Sequence, residues 1–192
     1  SYHGKDATYC VSTLRRYHAS LHTSNIMRYK NKYRIPSARA PWRDYAANGA
    51  YFVTIITKNR HHWFGKVANG TMELSPVGQI ADACWLEIPE HFAFVKLGAH
   101  IIMPDHVHGI ITIDKPDQDK NPVKLNKFGP QSQNLASVIR GFKAGVSKYA
   151  RITHPEFAWL PRFHDSIIKD EEAFRKISQY IKNNPANWNK KR

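Results

Sequence analysis

The stretch FVKLGAHIIMPDHVHGIITID, residues 94–114, decides the fold. Phe94–Met103 and His106–Asp114 are rich in aliphatic and β-branched residues and read as strands. Pro104-Asp105 is the tight link between them, with proline suited to the second position of a type I turn. Strands joined by so short a link pair antiparallel. Side chains alternate along a strand, so His106 and His108 project together while Val107 points into the opposite layer.

Working outward, Ala50–Thr57 contains Phe52, Val53, Thr54, Ile55 and Ile56 and predicts a further strand. Ser75-Pro76 is a helix start, a capping hydroxyl followed by proline in the first turn. Val77, Ile80, Ala81, Cys84 and Ile88 give the helix Pro76–Ile88 one apolar face. Cys84 lies on that face, which makes it a packed thiol. Beyond the hairpin, Lys115–Gln133 is a polar, Pro/Asn-rich excursion. Leu135, Val138, Ile139, Phe142, Val146 and Tyr149 then mark an amphipathic helix over Asn134–Arg151. Trp159–Ile168 reads as the last strand. Asp170 can cap a final helix that buries Ala173, Phe174, Ile177 and Ile181, and Pro185 ends it near Asn184.

The order is strand, helix, two strands, helix, strand, helix. That is an α+β chain with a ferredoxin-like split βαβ core, an antiparallel sheet with helices on one face, and an added C-terminal helix carrying Tyr180.

The 192 residues include 29 Lys plus Arg against 15 Asp plus Glu, for a net charge of +14. A charge of this size points to a polyanionic partner, most simply nucleic acid. It is unevenly spread. Residues 1–50 carry nine basic and two acidic groups (+7), residues 51–120 six and eight (−2), and residues 121–192 fourteen and five (+9). A nearly neutral sheet core is thus bracketed by basic flanks, whose aromatics could stack on bases. Residues 1–33 read as a basic N-terminal arm and residues 34–192 as a single domain. Two cysteines, Cys10 and Cys84, exclude a disulfide framework. The apolar runs are far too short for a membrane helix and no secretory leader opens the sequence, so a cytoplasmic, nucleoid-associated location without membrane contact is expected.

Two constellations carry chemistry. His106 and His108, side by side on a rigid strand, form half of a metal site, although a bare His-x-His also occurs as two histidines on an exposed sheet face. Tyr180 and Asn184 stand four apart on the last helix, at the edge of its buried stripe, where a core-edge aromatic is the plainer reading. Pro185 biases Asn184 away from helical dihedrals. His164-Asp165 is a weaker candidate, better read as a structural strand histidine. His61, His62 and His100 suggest no partner.

The motifs MPDHVHGI (103–110) and YIKNNPANW (180–188) resemble those of the single-tyrosine HUH transposases of the IS200/IS605 type, and most closely the REP-associated tyrosine transposases. RIPSARAPWRDY, NGAYFVTIITKNRHHWFG, LSPVGQI and FHDSIIKDEEAFRKI are similar to segments of the same group, so the resemblance runs from about Arg34 to Trp188. The family usually carries asparagine where this chain has Asp105. The resemblance implies a DNA endonuclease and strand transferase for single-stranded or hairpin DNA, in which Tyr180 attacks the scissile phosphorus to leave a 5′-phosphotyrosine and a free 3′-hydroxyl. It implies His106, His108 and Asn184 as ligands of Mg²⁺ or Mn²⁺. A phenol titrates near about pH 10 in water, so the nucleophile needs activation. Lys176 and Lys182 lie nearby without either being assigned as the base. For the DNA grip the candidates are Arg140, Lys143, Arg151, Arg162 and Lys182, with Arg34, Arg39, Trp42 and Arg43 toward a hairpin and its flanking bases. A monomer or a homodimer fits this scheme. A catalytically silent, domesticated hairpin-binding protein is the alternative, and an RNA-binding ferredoxin-like domain lacks the expected signature.

Overall fold

The computed structural model describes residues 47–116 and 133–191, with burial of side chains as far as Trp188. The expected arm over residues 1–33, the candidates Arg34, Arg39, Trp42 and Arg43, and most of the polar excursion lie outside the described residues.

Four strands form the central antiparallel sheet. They are β1 (Gly49–Ile56), β4 (Val95–Met103), β5 (His106–Ile113) and β6 (His164–Ile168), in the order β4-β5-β1-β6. β1 and β4 are joined through a helix and have β5 inserted between them, which is the split βαβ arrangement. The register pairs Thr54 with both His108 and His164, and Val53 with both Gly109 and Asp165. The sheet therefore has one face bearing Phe52, Thr54, His106, His108 and His164 and another bearing Val53, Ile55, Val107, Gly109 and Asp165.

The second face is covered by α1 (Pro76–Leu86) and α3 (Leu135–Thr153), with the short α2 (Ile88–His91) between α1 and β4. Ser75 starts α1 as the sequence predicts, its Oγ accepting from the Gly78 N–H at 3.1 Å with Pro76 next in line. The predicted run to Ile88 is broken at Glu87, because Pro89 cannot continue the hydrogen-bond ladder and instead opens α2. Asn134 and Ser137 cap α3 reciprocally. Trp85 on α1 is fully buried and lies over Gly109, and Phe142 on α3 meets it edge-on at 5.3 Å. A Cβ at position 109 would stand 2.1 Å from the Trp85 ring, so only glycine lets the indole reach the sheet. Cys84 is buried beside it.

The opposite face is covered by α4 (Glu171–Lys182), capped by Asp170 through the Ala173 N–H at 2.7 Å. Ile181 is its fully buried anchor and packs with Ile110 and Ile168, while Ala173, Phe174 and Ile177 close the edges of that cluster. The helices of the core share one face, as the pattern of elements predicts, and the added helix takes the other, a placement the pattern left open. After α4 the chain continues as a 3₁₀ turn, Pro185–Lys191.

Two differences from the sequence reading stand out. Trp159 makes only an isolated bridge to Thr57, and the regular strand begins at His164. Pro161 and the left-handed Arg162 (φ 70°) interrupt it between those points. A small hairpin, β2 (Gly65–Ala68) with β3 (Thr71–Leu74), is inserted between β1 and α1. Asn69-Gly70 turns it with both residues at positive φ, the conformation a two-residue hairpin loop needs, and that dipeptide is the signal by which it could have been read. No helix among the described residues is long and apolar enough to cross a membrane.

Candidate functional site

A cavity of about 490 Å³ opens on the α4 side of the sheet, at the end where β5 begins. Its wall contains Thr54, His106, His108, Tyr180, Asn184 and Trp188. Strand alternation delivers the histidines, whose ring centroids are 4.4 Å apart and which are each 7% exposed. Thr54 stands opposite His108 in the register and its Oγ1 shares a 2.9 Å hydrogen bond with Nδ1. His106 Nδ1 lies 2.5 Å from Asp105 Oδ1. With Nδ1 engaged on both rings, Nε2 is the nitrogen suited to coordinate a metal on each, and a carboxylate behind one imidazole is the support that metal-binding histidines commonly have.

Asp105 is 1% exposed, which is unusual for a carboxylate. Burial pushes its pKa up, but the hydrogen bond and charge of His106 and the Arg60 guanidinium outweigh that and hold it below the usual carboxylate range. Because the folded value is depressed, the stability Asp105 contributes is present above the ordinary range near about pH 4 and is lost as pH falls through the lowered value. Arg60 Nη1 reaches Asp105 Oδ2 at 3.3 Å from a turn, Lys58–Arg60, in which Asn59 and Arg60 both hold left-handed dihedrals. Such backbone costs on the order of 1 kcal/mol per non-glycine residue and persists where the surroundings demand it. Thr57, fully buried, holds the turn to the hairpin by donating from its N–H to the Asp105 carbonyl at 2.9 Å.

Tyr180 comes from α4. Its ring centroid is 5.6 Å from that of His108 and it meets Phe52 edge-on at 6.1 Å. The side chain is 41% exposed, so it forms part of the cavity mouth. Asn184 follows the helix end, where Asn183 keeps right-handed dihedrals and the Asn184 N–H donates to the Ile181 carbonyl at 3.2 Å. The chain thus winds one turn further than Pro185 alone would suggest, and Asn184, 9% exposed, reaches the same cavity as Tyr180 and the histidines. The following turn supplies Asn187 and Trp188, whose indole lies 5.8 Å from the His106 ring. The hairpin supports that turn from behind, with Ala186 against Gly70.

The basic candidates fall elsewhere. Arg140, Lys143 and Arg151 are on α3, across the sheet from the cavity. Lys143 donates to the carbonyls of Leu160 (3.0 Å) and Arg162, and burial pushes its ammonium down to about 8, so it ties the approach to β6 in place. Arg151 Nε donates to the Phe157 carbonyl at 3.1 Å. Arg140, Arg162 and Lys182 are exposed. His164 shares the face of His108, whereas Asp165 points to the other side, so these two neighbours cannot serve one site. His100 also lies on the helix-covered face, stacked on Trp85 and 2.9 Å from Asp82.

The cavity brings together His106, His108, Tyr180 and Asn184, which the sequence reading named, and adds Thr54, Arg60 and Trp188, which it did not. Thr54 was recoverable once β1 was paired with β5, since it sits across from His108. Arg60 carries no periodic signal, because it lies in an irregular turn. Trp188 stands inside the quoted motif YIKNNPANW.

The residues fit a divalent cation by donor chemistry. Two imidazoles with supported Nδ1 atoms and the buried Asn184 amide line one cavity. Among the described residues no group of three His, Cys, Asp or Glu gathers, and the Asn184 amide oxygen is the third ligand that the sequence resemblance implies.

No family model matches the chain. It is 34% identical over 180 residues to an uncharacterized protein of Haemophilus influenzae, covering 90% of this chain and 94% of that one. It is 24% identical over 144 residues to a protein of the same organism named a REP-associated tyrosine transposase, covering 74% and 73%. Its fold is that of a REP-associated tyrosine transposase solved bound to a REP hairpin, with a TM-score of 0.55 and 20% identity over 78% of this chain and 74% of that one.

Proposed function

We propose that the chain is a relative of the REP-associated tyrosine transposases, whose fold it shares, and that it cleaves and rejoins single-stranded or hairpin DNA with Tyr180 as the nucleophile. The observation that carries this reading is the placement of Tyr180 at the mouth of the cavity that holds His106, His108 and Asn184. The Tyr180 oxygen attacks the scissile phosphorus and forms a P–O bond to the phenol. The bond from phosphorus to the 3′-oxygen breaks. The phenol gives up its proton, and the leaving 3′-oxygen takes one to become a free hydroxyl. The 5′-phosphotyrosine keeps the phosphodiester bond energy, so rejoining needs no nucleotide cofactor.

His106, His108 and Asn184 would hold Mg²⁺ or Mn²⁺, which supplies Lewis-acid stabilisation to the phosphoryl oxygens as charge builds on them. Asp105 favours the His106 tautomer protonated on Nδ1, and Thr54 fixes the orientation of the His108 ring, which supports a ligand pair set before DNA arrives. Phe52 meets the Tyr180 ring edge-on, and Trp188 flanks the His106 ring at the cavity wall. α4 docks on the sheet of its own chain, so one chain carries all these residues, which supports the monomer of the two expected states. Exposed Arg140, Arg162 and Lys182 would grip phosphates away from the cut.

The test is incubation of the protein with Mn²⁺ or Mg²⁺ and labelled single-stranded DNA bearing the flanking hairpin of its own gene, followed by denaturing electrophoresis. A covalent protein–DNA band that disappears in Tyr180→Phe is expected. Tight hairpin binding with no cleavage would favour a domesticated binding protein instead, a reading supported by the buried Asp105 at the position where the resembled family carries asparagine.

A further inference from the structure

Arg60 is the one Lys or Arg among the described residues that line the cavity, and nothing in the proposed cleavage chemistry uses it. We propose that Arg60 binds a phosphate of single-stranded DNA at the site, and that Asp105 is the positioning residue that aims it. The proposal rests on the reading of the cavity as a DNA site, but it concerns binding, not the chemical step.

Three observations converge. The Asp105 carboxylate divides its oxygens, Oδ1 to His106 and Oδ2 to Arg60, so one buried anion orients both an imidazole and a guanidinium. The Arg60 side chain is nonetheless 65% exposed, and the contact to Asp105 is made by Nη1. A guanidinium has five donors in a planar fork, so one contact to Asp105 leaves the rest of the fork able to take a phosphate oxygen pair. Last, the turn that carries Arg60 runs through two consecutive left-handed residues, Asn59 (φ 56°) and Arg60 (φ 52°). It is held there by Thr57, whose N–H donates to the Asp105 carbonyl (2.9 Å) and whose Oγ1 lies within hydrogen-bond reach of the carbonyls of both His61 (2.8 Å) and Asp105 (3.0 Å). A strained turn pinned to the residue that its own side chain then contacts is a device for placing that side chain. Neutralising Asp105 alone would not require the guanidinium to lie along the cavity wall.

The experiment measures binding of a short labelled single-stranded oligonucleotide to the full chain in EDTA, by fluorescence anisotropy over a range of salt. Arg60→Gln is expected to weaken binding about tenfold and to reduce the slope of log K against log salt by about 0.7, the loss of one single-strand phosphate contact. Arg60→Lys restores the slope but not the full affinity, since the fork is lost. Asp105→Asn keeps the slope and loses part of the affinity, because the arginine remains but is no longer aimed. An unchanged slope in Arg60→Gln overturns the proposal. So does a fall in Mn²⁺ affinity of the DNA-free protein, by calorimetry, equal to the fall in DNA affinity, since Arg60 would then act only through His106. If Arg60→Gln folds poorly by circular dichroism, Arg60→Lys against wild type decides: equal affinity overturns the proposal. A wild-type chain that forms no tyrosine adduct yet shows the slope change would remove the cleavage reading and leave this one standing, and normal cleavage with an unchanged slope would do the reverse.

Discussion

Along β5, one residue separates two environments. His106 and His108 face the cavity, where α4 leaves the sheet partly open, while Val107 and Gly109 face α1 and α3, where Trp85 packs on Gly109 and meets Phe142 edge-on. The closed face has no room even for a methyl group at position 109. The open face stays polar, with Thr54, Asp105 and Arg60 arranged around the imidazoles. The difference teaches that a rigid, fully packed layer is what lets the other side of the same strand hold two histidines in a fixed relation. Changes on the open face should cost function and spare the fold, and changes on the closed face should do the opposite.

The largest expected effect is on the open face. Tyr180→Phe should lower covalent adduct formation by at least about a thousandfold, as loss of a nucleophile does, while the retained ring keeps stability within about 0.5 kcal/mol. His106→Ala comes next. It should weaken Mn²⁺ binding by about a hundredfold in calorimetry and leave hairpin affinity nearly intact, and equal loss of both would make the histidine structural. On the closed face, Gly109→Ala should cost about 1–3 kcal/mol through overpacking against Trp85 and lower the melting temperature by several degrees. A normal melting temperature there would show that the two layers are less rigid than the packing implies. The smallest effect belongs to Ser75→Ala, which removes the α1 cap far from the cavity. It should cost about 1 kcal/mol in denaturant unfolding without changing adduct yield.

The same contrast explains what was legible in the sequence. Strand alternation in residues 94–114 placed the two histidines and Val107 on opposite faces, and helical spacing put Tyr180 and Asn184 together. Periodicity carries such information because one face of each element is buried. The Lys58–Arg60 turn has no period, so Arg60 was invisible until Asp105 was seen beside it. Lys143 reads as a DNA-facing cation on a helical wheel, but only the tertiary path of the chain before β6 shows its ammonium bound to two carbonyls. The β2–β3 hairpin was written in Asn69-Gly70, yet its role behind the 3₁₀ turn depends on contacts far apart in the chain.

The central claim is that Tyr180 is the atom donor of the covalent link to DNA. Mass spectrometry of the denatured, protease- and nuclease-digested adduct tests it most directly. A nucleotide attached through phosphate to the peptide that contains Tyr180 is the expected result. Attachment to any other residue, or cleavage that leaves a free 5′-phosphate with no linked peptide at all, would contradict it.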